Sequence, residues 1–315
     1  MHVLLTGGCG FVGSSFVKQF SAGEFPEITR LTVLDKLTYA GKKSNIKQYL
    51  NSAQISFIKN DICNRRLMFK LIESVEIVIN LAAESHVDRS INDSRPFVKT
   101  NILGVQTLLD ACRQNKQIKF IQVSTDEVYG SISSGSWTEN SPVQPNSPYA
   151  ATKAAADLLV YSYHVTHKLN TIVTRCSNNF GPNQFPEKII PLFINNLLAG
   201  RKIPIYGEGK QVRDWLFVED HCRGIYIAAT RGIVGEIYNI GGGVEMTNLD
   251  LTKFILRQLG CKEDLIEHVP DRAGHDFRYS INWGKISRIG YRPSLDFESK
   301  LSKTIDWYVK EFKSL

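Results

Sequence analysis

Two carboxylic acids stand side by side at Asp126 and Glu127, where the run "KFIQVST" gives way to a turn through Tyr129 and Gly130. Taken alone, the pair suits a solvated loop as well as it suits acid–base chemistry. Two further groupings bear on the choice. Gly7, Gly10 and Gly13 in "MHVLLTGGCGFVG" follow an apolar run directly and open a helix-like segment. Gly7 can turn where a side chain could not, Gly10 lets backbone approach a pyrophosphate, and Gly13 lets the helix lie close to the strand. Asp35 ends the next apolar run, "RLTVLD", at the distance where a carboxylate accepts bonds from a ribose diol and repels a 2′-phosphate. NAD is therefore the expected cofactor.

Tyr149 and Lys153 in "SPYAATKAA" are spaced i, i+4, so on a helix both side chains share a face. A free tyrosine titrates at about 10 and is a poor base at neutral pH. A neighbouring ammonium, with the positive nicotinamide ring, is expected to lower that value. Tyr149 would then take a hydroxyl proton while hydride leaves the same carbon, with Thr125 as the accompanying hydroxyl. The spacing alone is common in Lys-bearing helices; joined to the glycine fingerprint it describes a dehydrogenase site.

These residues need elements to hold them. Short runs rich in β-branched residues or Leu ("HVLLT", "RLTVLD", "QISFIKND", "EIVINLAA", "KFIQVST", "NTIVTRCS") alternate with longer periodic segments such as "FVGSSFVKQFSA" and "PYAATKAAADLLVYSYHVTHK". That alternation predicts an α/β fold, a Rossmann-type doubly wound parallel sheet. Asp61 and Ile62, and Leu81, Ala82 and Ala83, fall at the ends of the third and fourth strands, on the edge where such sheets bind ligands. After about residue 180, Pro- and Gly-containing loops break the rhythm. The expected division is 1–180 for the NAD-binding domain, with part of the later chain returning to it, and 181–315 for a smaller substrate-binding lobe.

Composition narrows the classes. With 315 residues, 43% hydrophobic and 22% charged, the chain reads as globular. No apolar run approaches the ~20 residues that span a bilayer, and the N-terminus lacks a signal peptide's charged start. Six cysteines without a CxxC pair suit reduced thiols, so the expected location is the cytoplasm and no metal is expected. The net charge of +7 is compatible with nucleic acid, but it is spread along the chain rather than gathered in a block, and it suits an anionic small substrate equally.

"TGGCGFVGS", "STDEVYG" and "YAATK" resemble the extended short-chain dehydrogenase/reductases that act on nucleotide sugars. "LDKLTYAG", "AAESHVDRSI", "RCSNNFGPNQFPEKIIP", "VRDWLFVEDH" and "DRAGHDFRYSIN" narrow the likeness to the dTDP-glucose 4,6-dehydratase branch, from about Met1 to Tyr308. The resemblance implies that, once C4 of the glucose is a ketone, Glu127 removes the C5 proton. Asp126, as a neutral acid, protonates the departing C6 hydroxyl. A simple dehydrogenase or epimerase needs no such pair. On the cofactor side it adds Phe11, Val12, Lys36, Thr38, Thr100 and Asn179. Around the nucleotide sugar it implies Ser85, Thr125, Asn178, Lys188, Ile189, Pro204, Ile205, Tyr206, Arg213, Asn248, Asp271, Arg272 and His275. Arg213 and Arg272 are suited to fork onto a diphosphate. Cys9, "GKKSNI" from Gly41 and Ala273 depart from the family's usual residues. The resemblance also implies a homodimer through a four-helix interface built from segments 94–114 and 147–168. The readings left beside it are a UDP-glucose dehydratase, an epimerase or decarboxylase on the same scaffold, and an NAD-binding protein that contacts RNA.

Overall fold

Continuous apolar runs become buried parallel strands. The computed structural model describes residues 1–271 and 274–313. Its main sheet contains β1 (His2–Thr6), β2 (Arg30–Asp35), β3 (Ile55–Lys59), β4 (Ile77–Asn80), β5 (Lys119–Thr125) and β6 (Asn170–Cys176), completed by β10 (Ile237–Ile240) from the later chain. The order is 10-6-5-4-1-2-3 and every pairing is parallel. Because side chains alternate along a strand, neighbouring apolar residues face opposite layers. Val3, Leu5, Ile121 and Ile172 pack under α1 (Phe11–Ser21) and α8 (Val218–Arg231). Leu4, Val78, Phe120 and Val173 pack under α2 (Arg65–Ile72), α5 (Val105–Cys112) and α6 (Pro148–His167).

The strand order reverses at β1, between β4 and β2, and an open α/β sheet binds ligands outside the carboxyl ends of its strands at such a point. Two short helices, α3 (Val87–Asn92) and α4 (Arg95–Phe97), lead from β4 toward α5. Between α4 and α5 the helix widens over Val98–Gly104, and this stretch packs on α6.

The smaller lobe holds α7 (Ile189–Leu198), α9 (Asn248–Gln258) and α11 (Phe297–Lys313) around their own apolar core, with the short α10 (Gly284–Ser287) beside β10. Its strands are β7 (Asn178–Phe180), β8 (Ile203–Tyr206), β9 (Val212–Phe217), β11 (Glu245–Thr247) and β12 (Ile266–Val269). They pair as β11-β9-β7 and β12-β8. β7 leaves the end of β6 almost at once, so the lobe begins beside the carboxyl edge of the main sheet.

Candidate active site

A cavity of about 310 Å³ runs along that edge. Its floor is the glycine turn. Gly7 has φ +69°, and a Cβ there would sit 2.7 Å from the backbone nitrogen of Ala82; one on Gly13 would collide with the carbonyl of Gly7. Glycine is thus required where β1 hands over to α1 and where β4 passes alongside. Asp35 is fixed in orientation, accepting from Cys9 N (2.9 Å) and Leu37 N (2.7 Å). Lys36 donates to Thr100 Oγ1 (3.1 Å) and lies 3.8 Å from carboxylate oxygens of both Asp61 and Glu84, which offset its charge. The "GKKSNI" segment folds under this end: Lys42 N (3.2 Å) and Asn45 Nδ2 (3.0 Å) both donate to the carbonyl of Cys9. All the cofactor-side residues named from the sequence line the cavity, Phe11, Val12, Thr38, Ile62, Leu81, Ala83 and Asn179 among them.

At the other end β5 stops at Thr125 and turns through Asp126–Tyr129. Thr125 Oγ1 accepts from Glu127 N and lies 3.3 Å from Asp126 Oδ1, to which it donates. Asp126 is 2% exposed, and its Oδ2 has no partner among the described residues. Burial first, then the charges of Glu127 and Asp214, push its carboxyl well above the usual carboxylate range. Its neutral form is therefore favoured over its charged one, while Glu127 beside it is half-buried. The two adjacent acids line the same cavity as the glycine turn. The solvated-loop reading does not fit a side chain so buried.

α6 delivers the second pair. Ser147 caps the helix by accepting from Ala150 N (3.1 Å), Pro148 starts it, and Tyr149 N donates to Ser90 Oγ (3.1 Å). Tyr149 and Lys153 then project into the cavity from one face. The expected lowering of the tyrosine pKa is not found in the chain alone. Burial, then the charges of Glu127, Cys176 and Asp126, push the phenol well above its ordinary value. Lys153 Nζ donates to Val123 O (2.6 Å), and burial lowers its pKa. The hydrogen bond from Thr125 acts the other way on the phenol, and a cation bound in the cavity would add to it.

Of the substrate-side residues, Ser85, Thr125, Asn178 and Lys188 line the cavity, and Lys188 Nζ donates to Ser85 O (3.2 Å). Ile189 follows Lys188 at the start of α7. The others gather in the smaller lobe, outside the cavity lining. Pro204, Ile205 and Tyr206 lie on β8, and the Tyr206 ring meets His275 edge-on at 5.8 Å. His275 Nδ1 lies 2.5 Å from Asp271 Oδ1, Asp271 Oδ2 accepts from Gln211 Nε2 (2.9 Å), and Asn248 N donates to Gln211 O (2.9 Å). Arg213 is buried over the Tyr279 ring and donates to the carbonyls of Val212, Phe277 and Asp276. Arg272 and Ala273 lie outside the described residues.

Residues not singled out from sequence shape the site as well. Asn101 accepts from Glu84 N and donates to Glu84 O and Thr152 Oγ1, joining the loop after β4 to α6. At the mouth, Arg89 stacks on Tyr39 (3.9 Å) and pairs with Glu187 (2.8 Å), while Tyr39 meets Phe185 at 5.2 Å. These four side chains clasp the loop after β2 to the loop before α7. A polar asparagine inside the apolar run "TNILG" was a visible signal for Asn101; the clasp joins residues too far apart in sequence to be read from it.

Asn178 Oδ1 and Asn179 Oδ1 are buried without partners among the described residues and line the cavity, as Asp126 does. Together with the glycine cradle, these unsatisfied atoms fit a dinucleotide and a polar substrate. Comparison with known proteins agrees. Residues 4–304 match the family described as GDP-mannose 4,6 dehydratase. A dTDP-glucose 4,6-dehydratase from an Actinoplanes species is 49% identical, covering 98% of this chain and 98% of its own. The crystal structure of DesIV, a dTDP-glucose 4,6-dehydratase from Streptomyces venezuelae with NAD bound, superposes with TM-score 0.97 at 48% identity, covering 100% of this chain and 98% of its own. That of a dTDP-glucose 4,6-dehydratase from Bacillus anthracis in complex with NAD gives 0.92 at 43%, over 99% and 98%.

Proposed function

The chain belongs to the dTDP-glucose 4,6-dehydratases of the GDP-mannose 4,6 dehydratase family, and from that membership we infer an NAD-dependent hydro-lyase that converts dTDP-glucose to its 4-keto-6-deoxy sugar. One observation carries the inference beyond dehydrogenase chemistry: a buried Asp126, its carboxyl pushed toward the neutral form, beside Glu127 in one cavity with Tyr149 and Lys153. Bound NAD supplies the hydride acceptor at C4, the hydride donor at C6 and a positive ring charge. Tyr149 takes the proton of the C4 hydroxyl, and Lys153, anchored on Val123 O, lines the same cavity from the same helix. Glu127 removes the proton at C5, made acidic by the C4 ketone. Asp126 gives its proton to the C6 hydroxyl, which leaves as water. Asp126 can hold that proton because burial and a second carboxylate disfavour its charge. Glu127 then returns its proton to C5.

We assign the smaller-lobe cluster of Tyr206, Gln211, Asn248, Asp271 and His275 to the nucleotide. Two further assignments belong to this reading. The protein is a homodimer, because Leu158, Tyr161 and Val165 on α6 and Val98 and Leu103 on the neighbouring widened helix are exposed apolar residues. It works in the cytoplasm, where its six unpaired cysteines stay reduced. No helix among the described residues is long and apolar enough to cross a membrane.

Single-turnover reaction of three variants tests the roles. Glu127→Gln should oxidise C4 and stall, with reduced-cofactor absorbance but slow uptake of solvent deuterium at C5. Asp126→Asn should oxidise and exchange C5 but lose water slowly. Tyr149→Phe should show no reduced cofactor at all. Each loss should be on the order of 10²–10⁴ in rate. Wild-type exchange in Glu127→Gln, or identical failure of all three before oxidation, would contradict the roles.

A further inference from the structure

His221 has no role in the chemistry above, yet it lines the same cavity. It is 1% exposed, and neither ring nitrogen has a hydrogen-bond partner among the described residues. Buried imidazole nitrogens are rarely left so; a folded protein keeps such a group where something outside the chain satisfies it. The helix that carries the ring is held on both sides. Gln19 Nε2 donates to Glu219 O (3.1 Å), Cys222 Sγ contacts Val12 O (3.4 Å), and Asp220 accepts from Ser294 N (3.0 Å) and Lys300 Nζ (3.2 Å). Burial pushes the imidazole down to about 3, so it is neutral at working pH, with one donor and one acceptor nitrogen.

Its position selects the part of NAD that it would meet. α8 packs on α1, whose first turn carries Val12, on the sheet face opposite α6. Tyr149 and Lys153 thus enter the cavity from one side and His221 from the other, and α8 packs on β5, β6 and β10 rather than on β2 and β3, the side of Asp35 and Asp61. A pyrophosphate offers only acceptors, and a neutral ring would bond it with one nitrogen at most. The nicotinamide carboxamide offers both a carbonyl and an amide N–H, and so matches whichever ring nitrogen faces it. Resting on the NAD reading above, we propose that His221 binds the nicotinamide carboxamide from the α1–α8 side, fixing the ring opposite Tyr149.

Binding of NAD and of ADP-ribose to the full-length chain, stripped of cofactor, tests this, since ADP-ribose keeps the pyrophosphate and ribose but lacks nicotinamide. His221→Phe fills the same space without a hydrogen bond, and His221→Gln restores a donor and an acceptor. In His221→Phe, affinity for NAD should fall about tenfold while that for ADP-ribose stays unchanged. His221→Gln should recover most of the loss. Equal weakening of both ligands would place the contact elsewhere or mark a structural defect, and no weakening of either would reduce His221 to packing; both overturn the proposal. Failure of the wild-type chain to bind NAD would instead overturn the cofactor reading.

Discussion

Asp126 holds its proton at the expense of stability. Its folded-state pKa is raised by burial, so its contribution is favourable below the unfolded value of about 3.9 and is lost as pH rises toward the folded one. At neutral pH the unfolded chain ionises this acid freely, and the folded chain resists its ionisation. Asp126→Asn removes that penalty. With NAD saturating, the variant should be about 1–3 kcal/mol more stable than wild type in denaturant unfolding at pH 7.5. The difference should vanish below about pH 4. An advantage equal at both pH values would mean the effect is steric. The two acids were legible in the sequence because they are adjacent and follow a strand. The burial that favours the neutral form of one of them was not, since it comes from the surrounding fold, with the charge of the sequence-distant Asp214 adding to it. Arg213 shows the same limit from the other side: a guanidinium suited to a diphosphate is held by three backbone carbonyls that no spacing announces.

The catalytic helix depends on its first turn. Ser147 satisfies the amide of Ala150, one residue beyond Tyr149, so fraying there moves the base itself. Ser147→Ala should cost about 1 kcal/mol of stability. It should also lower kcat several-fold with little change in KM, because the smaller-lobe contacts stay intact. Ser147→Asp, a good cap, should restore kcat; a KM effect alone would show the cap to be remote from chemistry. At this scale the sequence was most readable. "HVLLT", "RLTVLD" and "KFIQVST" coincide with β1, β2 and β5, since strands buried on both faces appear as unbroken apolar runs. The widened helix over Val98–Gly104 left no such trace, for its residues fit an ordinary helix equally well. β7 is only three residues long and β10 four, too short to carry a period of their own.

Across the whole molecule, the exposed stripe of Leu158, Tyr161 and Val165 argues for a second copy of the chain. Light scattering at micromolar concentration should give twice the chain mass of 35.5 kDa. Leu158→Glu should shift it toward the single-chain value, and a monomeric wild type would refute the interface. The late return of α8 and β10 bears on how the protein is made. A ribosome delivers β6 first, and its outer edge is bare until Ile237–Ile240 emerges, while Ile121 and Ile172 await the cover of Val218–Arg231. At ~5–20 residues per second, that interval lasts roughly 3–13 s. For that time the nascent chain displays a hydrophobic sheet face and an unpaired parallel strand, the surfaces that chaperones and neighbouring nascent chains bind. A stop or a long pause between residues 176 and 240 would therefore leave no stable half-enzyme, only a sheet lacking its last strand.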